Sequence, residues 1–375
     1  MNLAVIFGGR SAEHDISVIT GLQAIANLKR DDRTVVPIYI DRKGAWYTGA
    51  ALEKIDAVRA CQKHGKACYL DPRPGVGLTV EGMFAKRTPL DVALLCMHGC
   101  HGEDGSLQGL LELCDVPYTS CGVGASAGGM DKVTMKHIFR GVGLPVLPDV
   151  SCTRDELANV DAVVARVENG VGYPCFVKPA NLGSSIGIGR AADRAELEQA
   201  LAVAASFDRR ILIEKAVVDP REVNCSALGF GHDVQVSAIE EPLRAKDFLS
   251  FDDKYMSSGG QGGMKTLKRK LPADIPEATA AAVRDCTARC FTALDCKGVV
   301  RVDFLIDAQG ELFINEVNTI PGSLAFYLWE PLGMDYPSLL EKLIEYAFVA
   351  HKEKQKNEYA YESKVLGQYG GAKTK

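Results

Sequence analysis

Apolar and polar positions change rhythm along this chain, and the changes mark its organisation. At the start, short apolar runs at Leu3 to Phe7, Val35 to Ile40 and Val92 to Cys96 alternate with a helical pattern through Val18 to Ile25. Strand, helix, strand in that order predicts βαβ units and a Rossmann-like parallel sheet. From Asp131 a helical period runs to Arg140, closed by Gly141 and followed by Pro145 and Pro148. Tyr173 to Lys178 then reads as a strand opening into a Gly-rich loop, Glu196 to Ala205 as a helix, and Arg210 to Glu214 as a strand. Val223 to Leu228 and Val234 to Ile239 form a further pair of strands. Two β-branched runs flank Asp307-Ala-Gln-Gly310, the pattern of a hairpin. The fold class expected is α/β and α+β: a βαβ domain over 1–125, α+β units over 126–217 and 218–350, and a polar tail over 351–375. The segment 247–263, with Ser257-Ser-Gly-Gly-Gln-Gly-Gly263 inside charged and aromatic flanks, reads as a lid rather than a linker.

The hairpin carries the densest chemistry. Alternate residues of a strand share a face, so Arg301 goes with Asp303 and Glu316 with Asn318. If the turn has an even number of residues, odd positions pair with even ones and all four polar groups point the same way; a slip of one residue would split them. Two carboxylates and an amide oxygen on one face suit Mg²⁺ shared with phosphate oxygens, and Arg301 beside them suits a transferring phosphoryl group. A solvated face with a cross-strand salt bridge fits these four residues about as well.

Other segments supply compatible parts. Lys178-Pro-Ala-Asn-Leu-Gly-Ser184-Ser185 follows a strand and joins an ammonium and two hydroxyls to glycines that let backbone approach a ligand. It is not a P-loop. Lys132 starts a helix near the junction of the units. Glu214-Lys215 ends an apolar strand and Glu222 follows a turn, an arrangement that suits adenine on a strand edge and ribose hydroxyls on a carboxylate. Taken singly, these are ordinary solvated lysines and strand-end charges.

Composition narrows the setting. At 375 residues the chain expects two or three domains, and a net charge of -5 argues against nucleic-acid or anionic-membrane partners. The chain starts on an apolar strand without a basic, then apolar leader, and no run is long enough to span a membrane, so a cytoplasmic protein is expected. Twelve cysteines lie in apolar segments without a Cys-x-x-Cys pair, which reads as reduced, buried thiols. His98, Cys100 and His101 invite a zinc site, but a closed one needs four ligands and their neighbours are glycines and acids.

Lys132, Lys178 with its Gly-Ser-Ser loop, Glu214, Glu222, Arg301, Asp303, Glu316 and Asn318, in this order, resemble the ATP-grasp superfamily, in which two α+β subdomains clamp ATP. Gly8-Gly9-Arg-Ser-Ala-Glu13, His98-Gly-Cys-His-Gly-Glu103, Met130-Asp-Lys132, Gly183-Ser-Ser and Asn318-Thr-Ile-Pro-Gly322 narrow the resemblance to the D-alanine:D-alanine ligase family, through the mid-340s. The resemblance implies that ATP phosphorylates a first D-alanine to an acyl phosphate, which the amine of a second D-alanine attacks, for peptidoglycan precursor synthesis. It implies ATP as cofactor with two Mg²⁺ ions, replaceable by Mn²⁺, on Asp303, Glu316 and Asn318. Lys132, Lys178, Ser185, Glu214, Lys215 and Glu222 then serve the nucleotide. Arg301 and the Gly322 N–H serve the oxyanion, and Glu13, tied to Ser184 and Tyr255, takes the ammonium of the first D-alanine. His98 and Lys254 lie near the substrate carboxylates in this picture, and a homodimer is compatible with it.

One stretch departs from the family. After Pro-Gly the family usually carries a Thr and then a Ser that binds the second substrate's carboxylate, whereas this chain reads Gly322-Ser-Leu-Ala-Phe-Tyr327. Ser323 or the Tyr327 hydroxyl is left to serve, and D-serine or D-lactate enters as an alternative acceptor, although Tyr255 argues against D-lactate. A nucleotide-binding regulator or dehydrogenase is a reading from another class. It lacks Gly-x-Gly-x-x-Gly and leaves the hairpin unexplained.

Overall fold

Three sheets carry the described residues. The computed structural model describes residues 1–83, 85–243 and 269–358. Lys254 and Tyr255, and with them the lid expected over 247–263, lie outside the described residues.

In the first sheet, β1 (Asn2–Gly8) lies between β2 (Thr34–Ile40) and β7 (Val92–Leu95), parallel to both. Leu3 to Phe7 are fully buried, which explains a continuous apolar run instead of alternation: both faces of this strand are covered. The parallel part ends there. β3 (Trp46–Thr48), β4 (Lys66–Asp71), β5 (Gly77–Val80) and β6 (Lys86–Thr88) extend the sheet beyond β2 as an antiparallel meander. These strands are short and partly exposed, so no apolar run announces them.

Helix α1 (His14–Leu28) packs on β1. It follows Gly8 and Gly9, both at positive φ; a Cβ at Gly8 would stand 2.2 Å from the Ile40 carbonyl oxygen. Only glycine lets the chain turn there from strand into helix. The last described helix, Tyr336–Lys354, returns to this domain and buries Leu339, Leu340 and Leu343 in its core. It runs to Lys354, so the expected tail begins inside its final turn.

The second sheet is antiparallel: β10 (Gly189–Ala191), β9 (Cys175–Pro179), β11 (Arg210–Lys215), β8 (Asp149–Thr153). Helices Val160–Gly170 and Arg194–Phe207 bury Val163, Val167, Leu197 and Leu201 against it. The third is also antiparallel: β14 (Arg269–Lys270), β13 (Asp233–Pro242), β12 (Arg221–Phe230), β15 (Lys297–Ile306), β16 (Leu312–Asn318). Helix Glu277–Ala293 covers it through Val283, Cys290 and Phe291.

The β15–β16 pairing holds the decisive detail. Ile306 pairs with Leu312, so the turn Asp307 to Glu311 has an odd number of residues, contrary to the condition set by the sequence. Continued unbroken, that register would place Glu316 opposite Val302, on the core face. A bulge restores the other parity: beyond it Asp303 faces Glu316 and Arg301 faces Asn318, with Asn315 as the extra residue. Val302 and Val317 accordingly face the core.

Gly21 of α1 sits where a Cβ would lie 2.5 Å from Phe7 Cβ. Gly21→Ala is expected to lower stability by about 1 to 2 kcal/mol, because overpacking against β1 exceeds the gain in helix propensity. Urea unfolding checks this; a Gly21→Ala protein as stable as the parent would show that α1 shifts without cost.

Candidate active site

A cleft of about 230 Å³ opens between the second and third sheets, with Glu13 at one end. Its lining brings together Glu13, Lys132, Lys178, Ser184, Ser185, Glu214, Lys215, Glu222, Arg301, Asp303, Glu316, Asn318 and Tyr327, which the sequence distributes over more than 300 residues. Gly322 begins a short 3₁₀ turn after β16, and His98, Gly322 and Ser323 are not among the lining residues.

On the second sheet the lysines are organised by a buried carboxylate. Glu214, 1% exposed, contacts Lys178 and lies 2.7 Å from Lys136 Nζ. Burial alone would push its carboxyl up, but the two ammoniums outweigh it and hold it at about 2. Lys178 also donates to Asn315 Oδ1 at 3.1 Å, and Lys215 to the Tyr173 carbonyl at 2.9 Å. Lys132 opens helix Lys132–Gly141, whose first turn is capped by Asp131. Its ammonium donates to the Leu182 carbonyl at 2.7 Å and stands 3.5 Å from Glu316. It thereby joins the loop after β9 to the hairpin.

On the hairpin, Arg301 grips Asp303 with two parallel bonds of 2.6 and 2.7 Å, and Asn318 Nδ2 donates to Asp303 at 3.2 Å. No cluster of three His, Cys, Asp or Glu side chains fit for a metal occurs among the described residues. Two carboxylates and an amide oxygen are too few for a protein-only cage. The set fits a hard cation that completes its shell with phosphate oxygens and water.

At the other end, the Glu13 carboxylate accepts from Ser184 Oγ and is flanked by two glycines: a Cβ at Gly183 would be 3.1 Å from Oε1 and one at Gly99 2.9 Å from Oε2. Its carboxyl is pushed up by burial and then by the nearby Glu103 charge, opposed by the Ser184 hydrogen bond. Such a group gains from a cation beside it, as an ammonium would be. Ser184 and Ser185 both take positive φ, which turns the loop over Glu13.

Three sequence expectations need correction. His98 is 3% exposed with both nitrogens used: Nδ1 donates to the Ile320 carbonyl at 2.8 Å, and Nε2 accepts from Thr20 Oγ1 at 2.8 Å. It ties the first domain to the loop after β16 and does not reach the cleft. Ser323 Oγ donates to Gln23 Oε1 at 2.9 Å, buried away from the cavity. Tyr327 does line the cleft, but its one hydroxyl proton goes to Glu240 Oε1 at 2.8 Å, so it has none left for a carboxylate.

The sequence reading missed Lys136, Asn315, Glu240 and Arg269. Lys136 had a signal: it lies four residues after Lys132, on the same helix face. Asn315 depends on a bulge, and Glu240 and Arg269 on a long-range pairing that no local pattern reveals. A second cleft, of about 340 Å³, lies outside Tyr118 and helix Tyr336–Lys354; there Glu112 and Asp115 are already engaged by Lys354 and His351.

The structure superposes on a D-Ala:D-Ser ligase from Enterococcus faecalis with a TM-score of 0.80 at 28% identity, covering 92% of this chain and 99% of that one. It superposes on a D-alanine–D-alanine ligase from Bacillus anthracis complexed with ATP with a TM-score of 0.68 at 26% identity, covering 94% and 99%. Two antiparallel sheets clasping this cleft, beside the Rossmann-like domain, make the fold ATP-grasp. Residues 2–121 match the family model of the D-ala D-ala ligase N-terminus and residues 138–345 that of the C-terminus. A curated D-alanine–D-alanine ligase of Bacillus cytotoxicus is 41% identical over 369 residues, 96% of this chain and 99% of the relative. The chain belongs to the D-alanine–D-alanine ligase family.

Glu214 generates a prediction about pH. Its folded pKa of about 2 lies below the ordinary 4.5, so its contribution to stability is present above pH 4.5 and lost as pH falls toward 2. Lys136→Met removes one of its two ammoniums and should cost about 3 kcal/mol at neutral pH, the scale of breaking a buried ion pair. The acid-induced loss should also begin at higher pH. Chemical denaturation from pH 7 to 3 measures both; an unchanged profile would show that Lys178 alone suffices.

Proposed function

We propose that this chain joins two D-alanines at the expense of ATP. The γ-phosphoryl group passes to the carboxylate of the first D-alanine, and the amine of the second attacks the acyl carbon. A C–N bond forms, the bond from acyl carbon to phosphate oxygen breaks, and inorganic phosphate leaves. Such chemistry rests on positioning and charge stabilisation.

The observation that carries this reading is a face-to-face arrangement: Arg301, Asp303, Glu316 and Asn318 on one hairpin face, with the Lys132 ammonium 3.5 Å from Glu316 and Lys178 on the opposing sheet. Lys132, at the start of its helix, and Lys178, on the second sheet, neutralise phosphate oxygens while Arg301 meets the oxyanion. Asp303, Glu316 and Asn318 would hold Mg²⁺, or Mn²⁺ in its place, which supplies positive charge to the transferring phosphoryl group. Glu13, sheltered between Gly99 and Gly183 and steadied by Ser184, accepts the ammonium of the first D-alanine. Lys215, Ser185 and Glu222 remain candidates for adenine, phosphate and ribose. A product destined for the cell wall and a supply of ATP would place the reaction in the cytoplasm. A D-serine acceptor is the second reading, favoured by Tyr327 at the wall and by the likeness to the D-Ala:D-Ser ligase.

ADP release with D-alanine, ATP and Mg²⁺, read together with product mass, tests the proposal; a D-alanyl-D-alanine product supports it, and a D-alanyl-D-serine product from mixed substrates supports the second reading. No ADP release with any D-amino acid would refute both. Glu316→Gln should leave the fold intact and lower kcat by at least roughly 100-fold, the scale of one preorganised electrostatic contact in a transition state. Near-normal turnover in a folded Glu316→Gln protein would remove Glu316 from the metal set.

A further inference from the structure

The second cleft, of about 340 Å³, lies apart from the reaction cleft, where three parts of the molecule meet. The first domain contributes Val116, Pro117 and Tyr118 to its wall. The third sheet contributes Phe230 at the end of β12 and Lys297 at the start of β15, and helix Tyr336–Lys354 contributes Ala350. The size is that of a small-molecule pocket, and the wall joins an apolar strip to a cation without a counterion.

That cation is Lys297. Its Nζ donates to the Tyr118 carbonyl at 2.9 Å and stands 3.6 Å from the centroid of the Tyr118 ring. A carbonyl and a ring face solvate an ammonium without cancelling its charge, and one carbonyl leaves N–H donors to spare. No carboxylate pairs with Lys297 among the described residues, and burial pushes its pKa down to about 8, opposed by the Cys121 thiol. An anion entering the cleft would supply the missing counterion and offset the cost of burying the charge.

The charges around the cleft decide which anion fits. On the first domain, Glu112 accepts from the Tyr118 hydroxyl at 2.7 Å and is paired with Lys354, and Asp115 lies 3.0 Å from His351. On the last helix Glu353 is paired with Lys356, and Asp295, just before β15, is exposed. Glu112, Asp115, Asp295 and Glu353 all line the cleft, so a multiply charged anion such as phosphate meets repulsion there. A single negative charge on an apolar body meets Lys297 and the apolar strip together.

We propose that this cleft binds a small monocarboxylate with an apolar body, its carboxylate on the Lys297 ammonium and its body against Val116, Pro117, Phe230 and Ala350. The site goes beyond the ligase reading and stands or falls apart from it, because no residue lines both clefts. An occupant would bridge the first domain to β15, the strand that carries Arg301 and Asp303.

Calorimetric titration of benzoate into the full chain tests this, with D-alanine and a non-hydrolysable ATP analogue present to occupy the reaction cleft. Saturable binding with a roughly millimolar Kd is expected, the scale for a ligand of this size. Benzamide, which keeps the body and lacks the charge, and inorganic phosphate should each bind at least roughly tenfold more weakly. Because the ammonium must be charged to hold the carboxylate, the Kd for benzoate should rise roughly tenfold from pH 7 to pH 9, as the free lysine loses its proton. Lys297→Met should abolish the binding. Lys297→Arg, which stays charged, should bind benzoate without that pH dependence and serves if Lys297→Met does not fold. No saturable benzoate binding by the parent, equal binding of benzamide or phosphate, or a folded Lys297→Met that binds benzoate like the parent overturns the proposal. So does a pH dependence that persists in Lys297→Arg.

Discussion

The register of the last hairpin decides whether this protein has a site at all. Side chains alternate between faces, so one residue of slip would turn Glu316 and Asn318 into the core and put Val317 on the cleft. The five-residue turn favours that wrong parity, and the bulge at Asn315 reverses it. The bulged residue is itself used: its side chain accepts from Lys178 of the opposite sheet. A local irregularity thus sets the facing of the acidic groups and links them to the lysine that faces them.

In the cleft, opposite charges are matched in pairs. Lys178 lies against Glu214, Lys132 near Glu316, Arg301 on Asp303 and Arg269 on Glu240. Each pair lowers the cost of keeping its members away from water, and each fixes a cation in place before any ligand arrives. Glu214 differs from most of the other acids because it is almost fully buried and holds two lysines. Glu240, 4% exposed, is its counterpart beside Arg269. These two buried carboxylates orient cations, whereas Asp303 and Glu316 are more exposed.

What was legible in the sequence follows the range of the interactions. The apolar run Leu3 to Phe7 gave β1, and the period from Lys132 to Arg140 gave its helix, because burial and local pattern coincide there. The strands β3 to β6 did not announce themselves: pairing at a sheet edge needs few apolar residues, and β6 is Lys-Arg-Thr. Within the site, motif order brought most of the lining residues to notice, since their chemistry is concentrated in short segments. Glu240 and Arg269 stayed hidden because their meaning lies in Tyr327, more than fifty residues away, and in cross-strand register. His98 was read as a substrate contact from its place in a motif, but a side chain's direction is set by packing, and packing turns this one toward Ile320.

That turn of His98 bears on how the parts are kept in step. The Ser323 N–H donates to Thr20 Oγ1, the Thr20 hydroxyl to His98 Nε2, and His98 Nδ1–H to the Ile320 carbonyl. The carbonyl fixes the proton on Nδ1, so the chain of donors runs in one direction with every polar atom satisfied. Glu103 adds a bond from the Ile320 N–H at 3.4 Å. These bonds fasten α1 and the loop after β7 to the residues that follow β16. Glu13 stands at the start of α1 and Asn318 at the end of β16, so the same network sets the distance between Glu13 and the polar face of the hairpin. The first domain therefore does more than supply one wall: it holds the Glu13 carboxylate at a fixed position relative to the hairpin.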